Sequence, residues 1–215
     1  MHLTGADGRQ YVRDQIRQSL QEGNLAPGQR LIEQDLADTY GTTRSAVREA
    51  LVDLSAEDIV TLVPKRGARI RVISIEEAVQ ITECRAALER LCARKAATLA
   101  SAAQRKELRE IGEQMTQCVD TGAFDAYSEL NRRMHAVIIE ASGQQIARRQ
   151  LDRLNNQMVH FQFRLALRPG RSEESLIQHL AIINAITDRD PEAAAAAITA
   201  HLDSVIEQLQ VTKKG

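Results

Sequence analysis

The sequence is poor in aromatic residues, which make up 3% of its 215 positions, and it contains no tryptophan. It has three cysteines but no CxxC motif, and no apolar run approaches the length of about 20 residues that a membrane-spanning helix needs. Positive and negative residues balance, with 28 Lys and Arg against 29 Asp and Glu. We therefore expect no contact with a membrane, and any contact with nucleic acid must come from the local placement of charge.

The three cysteines are Cys84, Cys92 and Cys118. An odd count without paired spacing is typical of reduced thiols in the cytoplasm. The N-terminus lacks a basic segment followed by an apolar one, which is the pattern of a secretion signal. We therefore expect a cytoplasmic protein. Cys84 and Cys92 lie on a helical face, which favours burial in a core, and a redox switch is the alternative.

The abundance of Ala, Leu, Arg, Glu and Gln favours helices, and a hydrophobic fraction of 43% is enough for well-packed cores. The chain divides near Ser74, where Ser-Ile-Glu-Glu forms a capping box that opens a long helix. We predict a mainly α protein, with an N-terminal domain over residues 1–74 and a C-terminal domain over residues 75–215.

Residues 33–54 contain two short helical segments separated by Gly41. In the second segment, apolar residues recur at spacings of three and four and therefore share one face: Val47, Ala50, Leu51 and Leu54. Two helices joined by a turn that contains glycine are typical of a helix-turn-helix. The second helix of such a motif enters the major groove of double-stranded DNA with its N-terminal residues on the base edges.

The leading end of this second helix is polar and basic, with Thr43, Arg44, Ser45 and Arg48 at its start and on its outer side. Arginine suits base recognition because its planar fork can contact O6 and N7 of guanine together. Threonine and serine hydroxyls suit phosphate oxygens. The alternative is the solvated face of an ordinary amphipathic helix.

Two strands are predicted after the helix-turn-helix, over residues 59–63 and 68–72. The turn between them carries three candidate DNA-contacting residues: Lys65, Arg66 and Gly67. A glycine permits close approach of the backbone. With a helix predicted over residues 9–22, this hairpin completes a winged helix-turn-helix, whose wing can reach phosphates or the minor groove. An ordinary solvated turn is the alternative.

Beyond the N-terminal domain we find no strand pattern. Gly122, Gly143, Pro169-Gly170 and Asp190-Pro191 interrupt the helical periodicity. We predict an all-helical bundle of about six helices, at residues 75–101, 103–121, 123–142, 144–168, 172–188 and 191–211. Asp190 is expected to cap the last helix, with Pro191 at its first position.

Four residues of this bundle could bind a metal ion. Asn131 and His135 are four apart on one predicted helix, so their side chains project from one face. His179 and His201 lie beside the apolar stripes of two later helices. Three imidazoles and one oxygen donor would suit Zn, Ni or another borderline divalent ion. The alternative is that each histidine is a hydrogen-bonded residue of the core or its rim.

The N-terminal domain closely resembles the GntR family of bacterial transcription regulators. The resemblance is carried by four parts of the domain: Leu25–Leu31, then Glu33 with Leu36 and Ala37, then Thr43–Leu51, and finally Pro64–Ala68. It implies that Arg44 and Arg48 contact bases, usually guanine, and that Thr43 and Ser45 support phosphate contacts. It further implies that Arg66 and Gly67 form the tip of the wing, with Lys65 beside it. Arg30 is implied as one more residue that contacts phosphate.

The C-terminal domain resembles the FadR-like ligand-binding domain of these regulators, known as the FCD type. The matching segments lie within residues 83–89, 131–143, 178–186 and 196–202. In the metal-binding branch the pattern is Asp-x-x-x-His followed by two further histidines, and Asn131 stands here in place of the Asp. An uncharged amide oxygen implies a lower metal affinity or a different choice of metal. Gln144 likewise replaces the usual Asn after Ser-Gly.

The resemblance also implies a cavity for a small organic effector, often a carboxylate that touches the metal. Three arginines are candidate effector contacts: Arg85, Arg132 and Arg164. Arginine suits this role because it pairs with a carboxylate through two hydrogen bonds. The alternative is that these are arginines of surface or interdomain salt bridges.

These features predict a homodimeric, effector-controlled transcriptional regulator that binds a short palindromic operator, with repression as the common mode in the family. Two alternatives use the same residues differently. One is a metal-dependent enzyme with a helix-turn-helix module, and the other is a redox sensor that uses its thiols. No carboxylate stands at general-base spacing beside the histidines, and we see no nucleophile or phosphate loop, which counts against the enzyme.

Overall fold

The structure, a computed structural model, describes residues 4–64, 66–166 and 170–211, without the side chains of Gln21 and of residues 159–166. These residues form nine helices and three short strands, in the order α1 (Gly5–Gln21), β1 (Arg30–Leu31), α2 (Glu33–Tyr40), α3 (Arg44–Ala56), β2 (Val60–Val63), β3 (Gly67–Ile70), α4 (Ile75–Leu99), α5 (Ala102–Thr121), α6 (Phe124–Ala141), α7 (Gln145–Ala166), α8 (Arg171–Thr187) and α9 (Pro191–Val211). The predicted mainly α fold is confirmed.

The chain divides into two compact units. The first comprises Met1–Ser74 together with Arg153–Phe163, and the second comprises Ile75–Asp152 with Arg164–Gly215. No feature of the sequence indicated that part of α7 groups with the first unit. The domain boundary near Ser74 stays a prediction.

The core of the first unit joins its helices to a small sheet. Val12 and Ile16 of α1 are buried with Leu51 and Leu54 of α3 and with Ile70 of β3. The strands are antiparallel in the order β1-β3-β2. The predicted hairpin is therefore the larger part of a three-stranded sheet. A strand of two residues, such as β1, is too short to show an alternation of apolar and polar positions.

Gly67 begins β3 in a left-handed conformation, with φ at +84°. A Cβ atom at this position would lie 2.2 Å from the carbonyl oxygen of Leu31 in β1. The close backbone approach predicted for this glycine is thus found inside the wing itself, where β1 meets β3.

Ion pairs fix α3 to α1 on the side away from its leading end. Arg9 of α1 donates from Nε to Asp53 Oδ2 at 2.5 Å. Arg13 and Arg17 both donate to Glu57, which follows α3. These contacts are partly buried, so they orient α3 while Arg44 and Ser45 at its start stay exposed.

The second unit contains the predicted bundle helices, apart from the portion of α7 that groups with the first unit, and the helix ends differ from the predictions by at most two residues. Its main core is formed by α4, α5, α6, α8 and α9, around buried residues such as Met115, Met134 and Ile198. Asp190 caps α9 as predicted, because its Oδ1 accepts hydrogen bonds from the backbone N–H groups of Glu192 and Ala193 at 3.1 and 2.9 Å. Within the described part of the chain, no helix is long and apolar enough to cross a membrane.

The burial predicted for the two cysteines of α4 is correct for one of them. Cys92 is buried, whereas Cys84 is exposed. Residues eight apart on an α-helix are rotated by about 80° relative to each other, so the two cysteines do not share one face.

Candidate DNA-binding surface and buried histidine cluster

Helix α3, the second helix of the predicted helix-turn-helix, begins directly after a tight turn. Gly41, with φ at +60°, ends α2 in the left-handed conformation. Thr43 then caps α3, since its side-chain oxygen accepts a hydrogen bond from the backbone N–H of Ala46 at 3.2 Å. The cap uses a lone pair of the hydroxyl and leaves its proton available for a phosphate oxygen. The predicted polar leading end therefore lies at a helix start, where backbone N–H groups point outward.

Arg44 and Arg48 lie on the exposed side of α3, and both approach Glu33 of α2. Arg48 donates from Nε and Nη2 to the two carboxylate oxygens of Glu33, at 3.1 and 2.8 Å. Arg44 Nη2 lies 3.8 Å from Glu33 Oε2. The hydrogen bonds from Arg48 hold the pKa of Glu33 below its usual range, so this carboxylate is ionised at neutral pH.

The other candidate DNA-contacting residues are also at the surface of the first unit. Ser45 is exposed and donates to Glu49 Oε1 at 3.3 Å. Arg30 is exposed on β1, and Arg66 is exposed in the turn before β3. Lys65 lies outside the described residues. Exposure fits the predicted roles, which stay predictions.

In the second unit, three helices bring together the three predicted histidines: His135 of α6, His179 of α8 and His201 of α9. One candidate ligand atom from each lies within 4.8 Å of the others. The ring centroids of His179 and His201 are 4.6 Å apart, and His135 lies 5.9 and 5.7 Å from them. His179 and His201 are buried, and His135 is partly buried.

One ring nitrogen of each histidine, Nδ1, already contacts a neighbouring side chain. The three contacts are each 2.9 Å long: His135 to Glu89 Oε2, His179 to the hydroxyl of Tyr127, and His201 to Gln178 Oε1. At His201, the acceptor Gln178 requires a proton on Nδ1, which leaves the lone pair on Nε2. Outer partners of this kind orient histidine ligands and raise their basicity.

Two polar atoms of the predicted ligand set are buried without a hydrogen-bond partner among the described residues: Nε2 of His179 and Oδ1 of Asn131. Buried polar atoms in folded proteins are nearly always paired. Asn131 precedes His135 by one helical turn on α6, so both side chains project from the same face. The two orphaned atoms are an acceptor oxygen and a ring nitrogen, which are suitable ligands for a borderline metal ion.

The electrostatics keep His179 and His201 neutral. Burial lowers the pKa of His179 and of His201 well below the ordinary value, and the neighbouring imidazoles lower both further. Burial raises the pKa of Glu89, but Arg85 and His135 outweigh it and bring the value to about 2. Neutral imidazole is the form that binds a metal ion.

Comparisons with known proteins match both units. Residues 9–70 match the gntR family of bacterial regulatory proteins, and residues 80–204 match the FCD domain. The chain belongs to the GntR family. It is a GntR-type transcriptional regulator with a C-terminal FCD domain.

Several relatives of this GntR regulator are curated proteins. It is 25% identical to the HTH-type transcriptional repressor RspR of Escherichia coli over 195 residues, which cover 91% of this chain and 86% of RspR. It is 30% identical over 220 residues to a putative L-lactate dehydrogenase operon regulatory protein of E. coli, covering 90% and 83%. The solved structure of E. coli McbR/YncC has the same fold, with a TM-score of 0.84, 22% identity and coverage of 97% and 100%. The two curated relatives are both named as regulators, which supports the regulator over the enzyme alternative.

The structure places the three predicted effector arginines in different surroundings. Arg85 is buried on α4, where its Nε and Nη2 donate to Glu89 Oε1 at 3.1 and 2.8 Å. Glu89 also contacts His135, so it lies between Arg85 and the histidine cluster. Arg132 is exposed and pairs with Glu129 on its own helix, so its position gives no support to an effector role. The side chain of Arg164 lies outside the described residues.

Sequence reasoning missed four residues that surround the histidines: Glu89, Tyr127, Gln178 and Arg171. Arg171 is buried at the start of α8, donates from Nη1 to Ser204 Oγ at 3.0 Å, and lowers the pKa of His179 and His201 by its charge. Glu89 could have been suspected, because it follows Arg85 by four residues on a helix. Tyr127 and Arg171 are brought to the cluster by tertiary contacts that leave no local signal.

Proposed function

We propose that this GntR regulator binds a short palindromic operator as a homodimer and represses transcription until a small organic acid binds in its FCD domain. We further propose that the acid binds at a divalent metal ion held by Asn131, His135, His179 and His201. The observation that carries this proposal is the convergence of three imidazoles from three helices, each with its Nδ1 atom already engaged.

DNA recognition in this proposal rests on the leading end of α3. Arg44 and Arg48 supply the base contacts, and the hydroxyls of Thr43 and Ser45 supply phosphate contacts. The exposed Arg30 and Arg66 would add phosphate contacts from the sheet and the wing, together with Lys65. A two-fold symmetric dimer presents two such surfaces and therefore selects two related half-sites.

The metal proposal rests on the donor set. Three imidazoles and one amide oxygen suit Zn or Ni. Two atoms of this set are buried without a hydrogen-bond partner, the amide oxygen of Asn131 and Nε2 of His179. When bound, the ion would supply a positive centre that attracts a carboxylate of the effector. None of the four proposed ligands is charged, so they would not neutralise the charge of a divalent ion. The remaining positive charge favours an anionic effector.

The surroundings of the cluster favour an acid for a second reason. Arg85 and Arg171 are buried cationic groups near the histidines, each paired with one glutamate. Glu89 orients His135 and Tyr127 orients His179, so the residues around the ligands hold the imidazoles in place. Repression is proposed because the relative RspR is named a repressor. The effector acts only as far as it favours one state of the regulator over the other.

The experiment uses the full chain, purified without chelators, in three forms: wild type, His179→Ala and Ile177→Ala. Ile177 is an exposed neighbour on the same helix and serves as the control. Elemental analysis and native mass spectrometry should show a dimer with one divalent ion per chain in the wild type and in the control. His179→Ala should lose the ion, because it removes one of the four ligands.

The same three proteins are used to enrich duplexes from a random-sequence pool. All three should select one palindrome, since His179 lies in the other unit from α3. Unchanged metal content in His179→Ala would contradict the ligand assignment, and a wild-type protein that enriches no sequence would contradict the DNA-binding proposal.

A further inference from the structure

Glu33 lies beneath the two arginines that carry base recognition in the proposal above. It begins α2, and its side chain is only 18% exposed, whereas those of Arg44 and Arg48 are 60% and 62% exposed. The carboxylate is therefore on the protein side of the two guanidinium groups. Their outer edges face solvent, where a base pair would lie.

The hydrogen bonds to Glu33 use only part of the donor capacity of Arg48. A guanidinium has five N–H donors, and Nε and Nη2 use one each on the two carboxylate oxygens. The donors of Nη1 and the second donor of Nη2 remain for another partner. These are enough for the paired contact to O6 and N7 of guanine. The contact to Glu33 thus fixes the plane of the fork without blocking its outer edge.

The two arginines are held unequally. Arg48 makes a two-point contact with Glu33, at 3.1 and 2.8 Å, whereas Arg44 is 3.8 Å away through one nitrogen. A long side chain that is already oriented loses less rotamer freedom when it binds a base. Any orienting effect of Glu33 should therefore be larger for Arg48 than for Arg44.

The carboxylate also acts through its charge. Glu33 is ionised at neutral pH and offsets part of the positive charge of the arginines that would otherwise attract phosphates. Binding to DNA of arbitrary sequence depends mainly on such phosphate attraction. A negative charge at this point therefore weakens binding to DNA that lacks the guanine.

We propose that Glu33 is a specificity-determining positioning residue, which orients Arg48 for guanine and lowers affinity for DNA without that base. The inference rests on base recognition by Arg48. The competing explanation is an ordinary surface ion pair, since exposed pairs contribute little to stability and many have no measurable role.

The test uses full-length wild type, Glu33→Gln, Asp38→Asn and Arg48→Ala, each allowed to enrich duplexes from a random-sequence pool. Asp38 is the matched control, because it carries the same charge on α2 and its described hydrogen bond is to Gln34 of the same helix. Arg48→Ala identifies the guanine position that Arg48 contacts. Affinities are then measured for the duplex selected by the wild type and for a scrambled duplex of equal length.

At the position that Arg48→Ala identifies, we expect the preference of Glu33→Gln for guanine to be roughly tenfold lower than that of the wild type. Its affinity for the scrambled duplex should rise, with a salt dependence steeper by about one unit of the logarithmic slope, because Arg48 becomes free to contact a phosphate. Asp38→Asn should keep the guanine preference of the wild type. Comparable melting temperatures for all four proteins establish that the folds are intact.

A further variant, Glu33→Asp, separates position from charge. It keeps the carboxylate but withdraws it by one methylene group, so the guanine preference should fall while affinity for the scrambled duplex stays near the wild-type value. A guanine preference in Glu33→Gln and Glu33→Asp equal to that of the wild type would overturn the inference, even if both bound all DNA more tightly. That result would leave DNA recognition itself intact, whereas failure of the wild type to select any sequence would overturn both proposals.

Discussion

The two functional regions each place a glutamate against the side chains that are proposed to bind a ligand, but in opposite surroundings. Glu33 meets Arg48 at the surface, where the side chain of Arg48 is 62% exposed. Glu89 meets Arg85 and His135 in the interior, where its side chain is 4% exposed. An exposed ion pair contributes about 0–1 kcal/mol, whereas breaking a buried one by removing one partner costs about 3–5 kcal/mol.

This difference predicts how the two regions respond to substitution. At the exposed arginines, a change should alter ligand binding and leave the free energy of unfolding almost unchanged. At the buried cluster, a change alters a network that both fills the bundle and orients the proposed metal ligands. A loss of binding there must be compared with the stability of the same variant before it is attributed to a lost ligand.

The largest expected effect is that of the double substitution Arg44→Ala/Arg48→Ala. Each paired contact to guanine contributes about 1–3 kcal/mol of discrimination, so affinity for the selected duplex should fall at least about thirtyfold. Metal content and melting temperature should match the wild type, because both side chains are exposed. The measurement is equilibrium binding to the selected duplex at one fixed salt concentration.

The control for this change is Arg109→Ala/Arg149→Ala, which removes two exposed arginines of the other unit. It should leave the affinity for the selected duplex near the wild-type value. An equal loss of affinity in both double variants would mean that only the total charge of the protein matters. DNA binding could then not be assigned to the arginines of α3.

The exposed region was largely predictable from local sequence. The apolar spacing of Val47, Ala50 and Leu51 defines α3, and the polar residues before it define the leading end. What local sequence could not show was the partner of these arginines, because Glu33 is 15 residues from Arg48 and on another helix. The strand β1 was missed for a related reason, since it exists only through its pairing with β3.

For the buried region, the identity of the histidines was predictable from the sequence, but their contacts were not. Helical periodicity placed each histidine beside an apolar stripe, and the family resemblance suggested that they converge. The choice of ring nitrogen depends on contacts such as Tyr127 to His179, which are 52 residues apart and have no signature in the sequence. Arg171 could not be recognised for the same reason.

The second prediction concerns Asn131→Asp, which adds a negative charge to the proposed ligand set, in which no residue is an acid. Metal affinity should rise by roughly tenfold, because a carboxylate attracts a divalent ion more strongly than an amide oxygen does. The measurement is competition for Zn and Ni against a chelator of known affinity. Asn184→Asp, an exposed position on α8, is the control and should leave the affinity unchanged.

The two variants sharpen the comparison, because an added carboxylate should raise metal affinity at position 131 and hardly change it at the exposed position 184. If Asn131→Asp binds the ion no more tightly than the wild type, the amide is not a ligand. Its orphaned oxygen would then need a different partner, such as the effector itself.

The smallest expected effect is that of Arg66→Ala at the tip of the wing. This side chain is exposed, and the proposed contact is to a phosphate, which is the same in every sequence. Affinity should therefore fall a few-fold for selected and scrambled duplexes alike, and the salt slope should decrease by about 0.9. The measurement is binding to both duplexes at several salt concentrations. A loss confined to the selected duplex would assign Arg66 a base contact, and the wing would then join α3 as a source of sequence specificity.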